Sequence, residues 1–225
     1  IMAEDSGAAC YGDLRCYYPP EKSKINFKSN INISLPADPT KLRVEKHDFN
    51  FVLAIETAGM YQRIARAIHT GKARKLAALK PLLISTKGVP SRSVRLLINK
   101  LASELGRPVL LFTDIDYGGL LISIYMKSGS AKSGHIPLAC PTIRLLNSAS
   151  DIIKHNLPSE VIDERRVKQF KRLLQDPRVK GTQFEHEVRT FLKVRREAEQ
   201  QALARNGLYY VVEKYLPEKI RVVLG

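Results

Sequence analysis

Three short apolar runs, each followed by an amphipathic helical pattern, constrain this chain more than any other feature. Phe49-Asn50-Phe51-Val52-Leu53-Ala54-Ile55 stops at Glu56, Pro81-Leu82-Leu83-Ile84-Ser85 stops before Lys87-Gly88, and Pro108-Val109-Leu110-Leu111-Phe112-Thr113 stops at Asp114. After the first run, Met60, Ile64, Ala67 and Ile68 fall on one helical face. After the second, Val94, Leu97, Ile98, Leu101 and Leu105 keep the same period, and Gly106 ends the helix. A further helix opens near Gly118-Gly119 and runs through Leu121, Ile122 and Tyr125. Strands that are apolar on both faces and alternate with helices predict an α/β fold, a parallel-rich sheet flanked by helices over about residues 46–145.

The flanks differ. Residues 1–45 read as a short β-rich lead-in or linker, with a turn at Gly12-Asp13 and the helix-breaking Tyr17-Tyr18-Pro19-Pro20; residues 46–225 are the main domain with a helical C-terminal extension. Ser159 to Leu174 and Phe184 to Asn206 are expected as long helices separated at Asp176-Pro177, the second with a stripe of Val188, Phe191, Leu192, Ala198, Ala202 and Leu203. The first residue is Ile rather than Met, which suggests a trimmed or incomplete chain. With 44% hydrophobic and 26% charged residues the chain is expected to fold rather than stay disordered. No run is long enough for a membrane span and no leader is visible. Cys10, Cys16 and Cys140 are too few for a disulfide framework or a four-ligand zinc site. The expected setting is intracellular, with no membrane partner.

Net charge is +15 across 225 residues, and it is concentrated. Between Met60 and Arg107, eleven Lys and Arg face Glu104 alone, leaving +10 in that span. Such an excess points to a polyanion, and Arg92, Arg95, Asn99 and Lys100 are expected to face outward from the second helix. Glu56, Asp114 and Asp116 sit at strand ends, where open α/β sheets bind ligands. Convergent carboxylates repel unless a cation joins them, and hard oxygen donors suit Mg2+. The competing reading is that these acids cap the helices that follow. Dispersed His47, His69, His135, His155 and His186 suggest no zinc site, Ser128-Gly129-Ser130 is no nucleophile elbow, and no phosphate-binding loop for ATP is present.

The Glu56 strand end, Lys87-Gly88-x-Pro90 before a helix bearing Arg95, and Asp114-x-Asp116 resemble the Toprim domain. More narrowly they resemble the A subunit of type IIB DNA topoisomerase (topoisomerase VI) and its meiotic double-strand-break relatives. Gly129-Ser130, Ala198-Glu199-x-Gln201-Ala202-Leu203 and Tyr215-Leu216-Pro217-x-Lys219 continue the likeness in the family's order. Thr57, Thr86 and Tyr117 depart from the family's lysine, glycine and proline at those places. The resemblance implies Mg2+ held by Glu56, Asp114 and Asp116, with Lys87, Arg92 and Arg95 against DNA phosphates. It further implies a homodimer on double-stranded DNA, a separate ATPase B subunit, and cleavage of both strands by a tyrosine. Tyr17 and Tyr18 lie too close to Glu56 for the family's nucleophilic domain to fit between, so the nucleophile is expected outside this chain and the chain is expected to be inactive alone. Location would be the cytoplasm in an archaeon or bacterium and the nucleus in a eukaryote. A stand-alone Toprim metal-dependent nuclease and a non-catalytic DNA-binding module are the alternatives.

Overall fold

The computed structural model describes residues 8–20, 23–35, 38–129 and 138–225, so Ser130 of the Gly129-Ser130 motif and His135 lie outside the described residues. The chain begins with β1 (Ala9–Tyr11), β2 (Leu14–Tyr18), β3 (Ser23–Asn26), β4 (Ile33–Ser34) and β5 (Arg43–His47). It then alternates through β6 (Phe51–Ile55), α1 (Ala58–His69), α2 (Arg74–Ala78), β7 (Pro81–Ser85), α3 (Arg92–Leu105), β8 (Val109–Phe112), α4 (Tyr117–Ser128) and β9 (Ile143–Leu145). The central sheet has the order β4-β1-β7-β6-β8-β9, and β7, β6, β8 and β9 are parallel. This is the expected α/β fold.

Every residue of β6, β7 and β8 is buried because helices cover both faces of the sheet. Alternate side chains supply the two layers. Leu53, Ile55, Leu83 and Phe112 pack with Met60, Tyr61 and Ile64 of α1, whereas Val52, Ala54, Ile84 and Leu111 pack with Val94, Leu97, Ile98 and Leu101 of α3. The ends of α3 follow the sequence reading: the Ser91 side chain accepts from the Val94 N–H, and Gly106 closes the helix at φ 61°. Two elements escaped that reading. α2 has only five residues, and β9 is a three-residue edge strand whose Ile143-Arg144-Leu145 sequence makes no apolar run.

The lead-in is built of short strands as expected, yet it shares the core. β1 pairs antiparallel with β7, and β4 pairs with β1, while β3-β2-β5 form a separate antiparallel sheet. Cys10, Leu14, Cys16, Phe27 and Leu42 are buried in the same cluster as α3. Burial raises the Cys10 thiol well above its usual value and that of Cys16 to about 12, so both behave as small core residues. Tyr17 and Tyr18 are residues of β2, and the Tyr18 hydroxyl donates to the Asp38 carbonyl at 3.1 Å.

Beyond β9 come α5 (Ser150–Lys154), β10 (Glu160–Val161), α6 (Glu164–Leu173), α7 (Gln183–Val194) and β11 (Arg196–Glu197). A 3-10 stretch (Gln200–Asn206), α8 (Leu208–Tyr210), a π-helical turn (Val211–Tyr215) and α9 (Leu216–Leu224) complete the chain. The helix expected from Phe184 to Asn206 forms only in its first half. It stops at Val194, where Arg195 turns left-handed at φ 59°, and the chain becomes extended. Its backbone groups are satisfied elsewhere: β11 pairs with β10, and Ala198 makes an antiparallel bridge to Ile115. For the same reason the earlier helix starts only at Glu164, capped by the Asp163 side chain, because Glu160 and Val161 are in a strand.

Tyr215 and Lys219, four apart on one helical face, both meet the buried Asp151: the hydroxyl donates to Oδ2 at 2.8 Å and Nζ lies 2.7 Å from the same oxygen. The Tyr215-x-x-x-Lys219 spacing is therefore accounted for by anchoring of the C-terminal helix onto α5.

Candidate metal and nucleic-acid site

β6 and β8 are parallel neighbours with Ile55 opposite Phe112, so Glu56 and Asp114 leave the sheet at the same end. The chain goes from β6 to β7 on one side and returns to β8 on the other, which makes this the switch point where open sheets leave a crevice. The Glu56 N–H donates to the Phe112 carbonyl at 3.0 Å, and Glu56 Oε2 accepts the Asp114 N–H at 2.9 Å. Asp116 continues in extended backbone, and its Oδ1 accepts the Gly119 N–H at 2.7 Å. The helix-capping reading therefore holds for Asp116 alone, since Thr57 is the N-cap of α1. Gly119 is needed for close approach: a Cβ there would lie 2.3 Å from the Asp114 carbonyl oxygen.

Sequence reasoning missed Gln200, the residue that joins these pieces. It is fully buried. Its Oε1 accepts from the Thr57 N–H at 3.2 Å and the Thr57 hydroxyl at 2.7 Å, and its Nε2 donates to the Phe112 carbonyl at 2.5 Å. Its backbone N–H donates to Asp114 Oδ1 at 2.8 Å. Gln200 occupies the unspecified place in the Ala198-Glu199-x-Gln201 motif, so the resemblance marked its neighbours but not the residue itself. Thr57, a departure from the family pattern, is thereby given a partner. Tyr117 is another departure: its N–H donates to Glu197 Oε1 at 2.8 Å, a bond proline could not make. Thr86, the third, is buried and donates its hydroxyl proton to the Gly88 carbonyl at 3.1 Å.

The acids sit at a cost that shows in their titration. Burial, and then the charges of Asp114 and Asp116, raise the Glu56 carboxyl from the usual 4.5 to about 7. Burial, followed by Asp116 and Glu199, raises Asp114. Burial also raises Glu197, whose Oε2 accepts from Arg166 Nε at 3.1 Å. Beside Asp116 lies a cavity of about 490 Å3 lined by Ser159, Arg166, Glu197 and Glu199. Among the described residues, no three His, Cys, Asp or Glu side chains are grouped closely enough to hold a metal ion. A two-carboxylate arrangement does fit Mg2+, which takes one or two protein carboxylates and keeps its other waters. Glu56 and Asp114 each use one oxygen on a backbone N–H and retain a second, and a cation would relieve the repulsion between them.

The basic candidates separate. Lys87 is exposed at φ 51° in a turn held against the acid site, with the Thr86 N–H on the Ile55 carbonyl and the Gly88 N–H on the Glu56 carbonyl, each at 2.9 Å. Arg92 is exposed at the first position of α3. Arg95 is turned inward rather than outward: its guanidinium donates to the carbonyls of Tyr125 at 3.0 Å and Leu138 at 3.4 Å, bracing α4. Its helical position falls between the apolar stripe and solvent, and the carbonyls beside it decide the direction. Lys100 also departs from the outward expectation, lying mostly buried with Nζ 2.6 Å from Glu104.

The fold and its switch-point acids define a Toprim domain. The family model for the Toprim domain of Spo11 and the topoisomerase 6 A subunit matches residues 51–220, and the chain belongs to that family. Curated relatives named as the A subunit of type 2 DNA topoisomerase 6 are 40% identical in Methanocaldococcus jannaschii, 36% in Methanothermobacter thermautotrophicus and 34% in Archaeoglobus fulgidus. Each aligns with at least 98% of this chain, whereas the chain spans 61–62% of their length. Among the described residues, no helix is long and apolar enough to cross a membrane.

Proposed function

We propose that this chain is the Mg2+- and DNA-binding Toprim portion of a type IIB topoisomerase A subunit, which works as a homodimer with an ATPase B subunit on intracellular double-stranded DNA. The observation that carries the reading is the pairing of Glu56 and Asp114 at the switch point, where burial, and after it neighbouring negative charge, raises both carboxyls and favours a cation beside them. Glu56 and Asp114 would hold the ion directly, and Asp116, from its capping position, would act through water or at a second ion. An ion held there would supply positive charge to offset that of a DNA phosphate. Gln200 holds Asp114 in place through its backbone N–H and ties the start of α1 to the end of β8. Lys87 and Arg92 are exposed and take backbone phosphates, while Arg95 supports α4 and no longer belongs to that set.

The strand-cleaving tyrosine is supplied from outside these 225 residues. Tyr17 and Tyr18 support this assignment by their places in β2, with Tyr18 tied to Asp38 and raised by burial away from the phenolate form. The test is calorimetric titration with Mg2+ and Mn2+ and a DNA adduct assay. Expected are metal binding that weakens in Glu56→Ala, salt-dependent duplex binding and no covalent adduct. Undiminished metal binding in that variant would sink the site, and metal-dependent nicking by the chain alone would favour the nuclease alternative.

A further inference from the structure

A second basic site lies at the far end of α1 from Glu56. Arg63 and Arg66 on α1, Lys72 in the turn that follows and Arg74 at the start of α2 are all exposed around a cavity of about 720 Å3. The turn is ordered by Gly71 at φ 72° and by the Lys72 N–H, which donates to the Ala67 carbonyl at 2.8 Å. Ala67 and Val212 form a buried apolar floor, and Tyr209 stands at the rim with 66% of its surface exposed. The acid lining the cavity, Glu213, is buried and accepts the Lys75 N–H at 2.9 Å.

Among the described residues, none of the four cations makes an ion pair. The C-terminus of α1 offers only about half a negative charge, too little to balance four positive ones. Like charges around one concavity attract an anion. An apolar floor and an exposed phenol ring add what a bare phosphate or a run of carboxylates does not use, a surface for a flat heteroaromatic group. The volume suits one nucleotide, and a base can enter a concave site only when it is unpaired.

We propose that this cavity is a second nucleic-acid site, taking one unpaired nucleotide of a single strand with its base against Tyr209 and its flanking phosphates on Arg63, Arg66, Lys72 and Arg74. It is independent of the metal reading, so the test is run in EDTA. Fluorescence anisotropy with fluorescein-labelled decathymidylate measures affinity against salt, with a labelled 20-base-pair duplex in parallel. The double substitution Arg66→Gln and Lys72→Gln should reduce the slope of log K on log salt by about 1.4, at about 0.7 per single-strand phosphate. Tyr209→Ala should weaken decathymidylate by about 5- to 150-fold while leaving the duplex within about twofold, and Tyr209→Phe should restore it. The substituted side chains are exposed, and unchanged circular dichroism melts confirm that the variants are folded. Decathymidylate affinity unchanged in both the double and Tyr209→Ala variants, equal loss for strand and duplex, or tighter binding of poly-glutamate than of decathymidylate overturns the proposal.

Discussion

Gln200 offers the sharpest test of how the site is held. Its side chain makes three hydrogen bonds, to the Thr57 N–H, the Thr57 hydroxyl and the Phe112 carbonyl. Gln200→Leu keeps most of the volume and removes all three. The Phe112 carbonyl retains the Glu56 N–H at 3.0 Å, and the Thr57 hydroxyl can rotate, so the principal loss is the orphaned Thr57 N–H. An unmet buried donor costs about 1–3 kcal/mol, and because Thr57 is only half-buried the net loss should lie near 1–2 kcal/mol. Gln200→Ala adds a cavity and should cost about 3–5 kcal/mol. Gln200→Glu keeps the shape but brings a carboxyl beside Asp114 and Glu56. Burial and like charge would raise that carboxyl in the folded state, so its penalty should grow as pH rises above about 4.5, by up to about 1.4 kcal/mol per pH unit. Urea unfolding followed by circular dichroism in EDTA at pH 5 and pH 8 reads all three. A Leu variant within about 0.5 kcal/mol of the parent, together with a Glu variant indifferent to pH, would refute the claim that Gln200 ties the site together.

Three further outcomes are expected. The folded Glu56 carboxyl at about 7 against an ordinary 4.5 favours the folded state below pH 4.5, and that advantage is lost as pH rises through 7. The full difference is at most about 3.4 kcal/mol, and partial solvent access reduces it to about 1–2 kcal/mol. In EDTA, Glu56→Gln should therefore gain that much on the parent between pH 4.5 and pH 8, and a flat difference would show that Glu56 titrates normally. Gly119→Ala forces a Cβ to 2.3 Å from the Asp114 carbonyl and should lower stability by about 2–4 kcal/mol, against about 1 kcal/mol or less for Gly118→Ala, as thermal melts will show. Arg92→Gln should reduce the salt slope of duplex binding by about 0.9 without loss of stability. Arg95→Ala should leave the slope alone and cost about 1–3 kcal/mol, and the reverse pattern would restore Arg95 to the phosphate set.

Local pattern alone determined the parallel core of this protein. Apolar runs at Phe51–Ile55, Pro81–Ser85 and Val109–Phe112, with helical periods between them, leave a buried parallel sheet as the consistent way to cover both strand faces. The same pattern put Glu56, Asp114 and Asp116 at strand ends, because a strand stops where its apolar run stops. Local pattern could not show the direction of a single long side chain, and Arg95 went to two carbonyls instead of solvent. Nor could it show that the helical period continuing past Val194 would be abandoned. That decision belongs to the tertiary structure: extended backbone from Arg196 to Ala198 finds partners in β10 and Ile115, and those bonds carry Gln200 to Thr57, Phe112 and Asp114. Helical propensity there is worth only tenths of a kilocalorie per residue, whereas leaving the buried groups at the sheet's end unmet costs several times more.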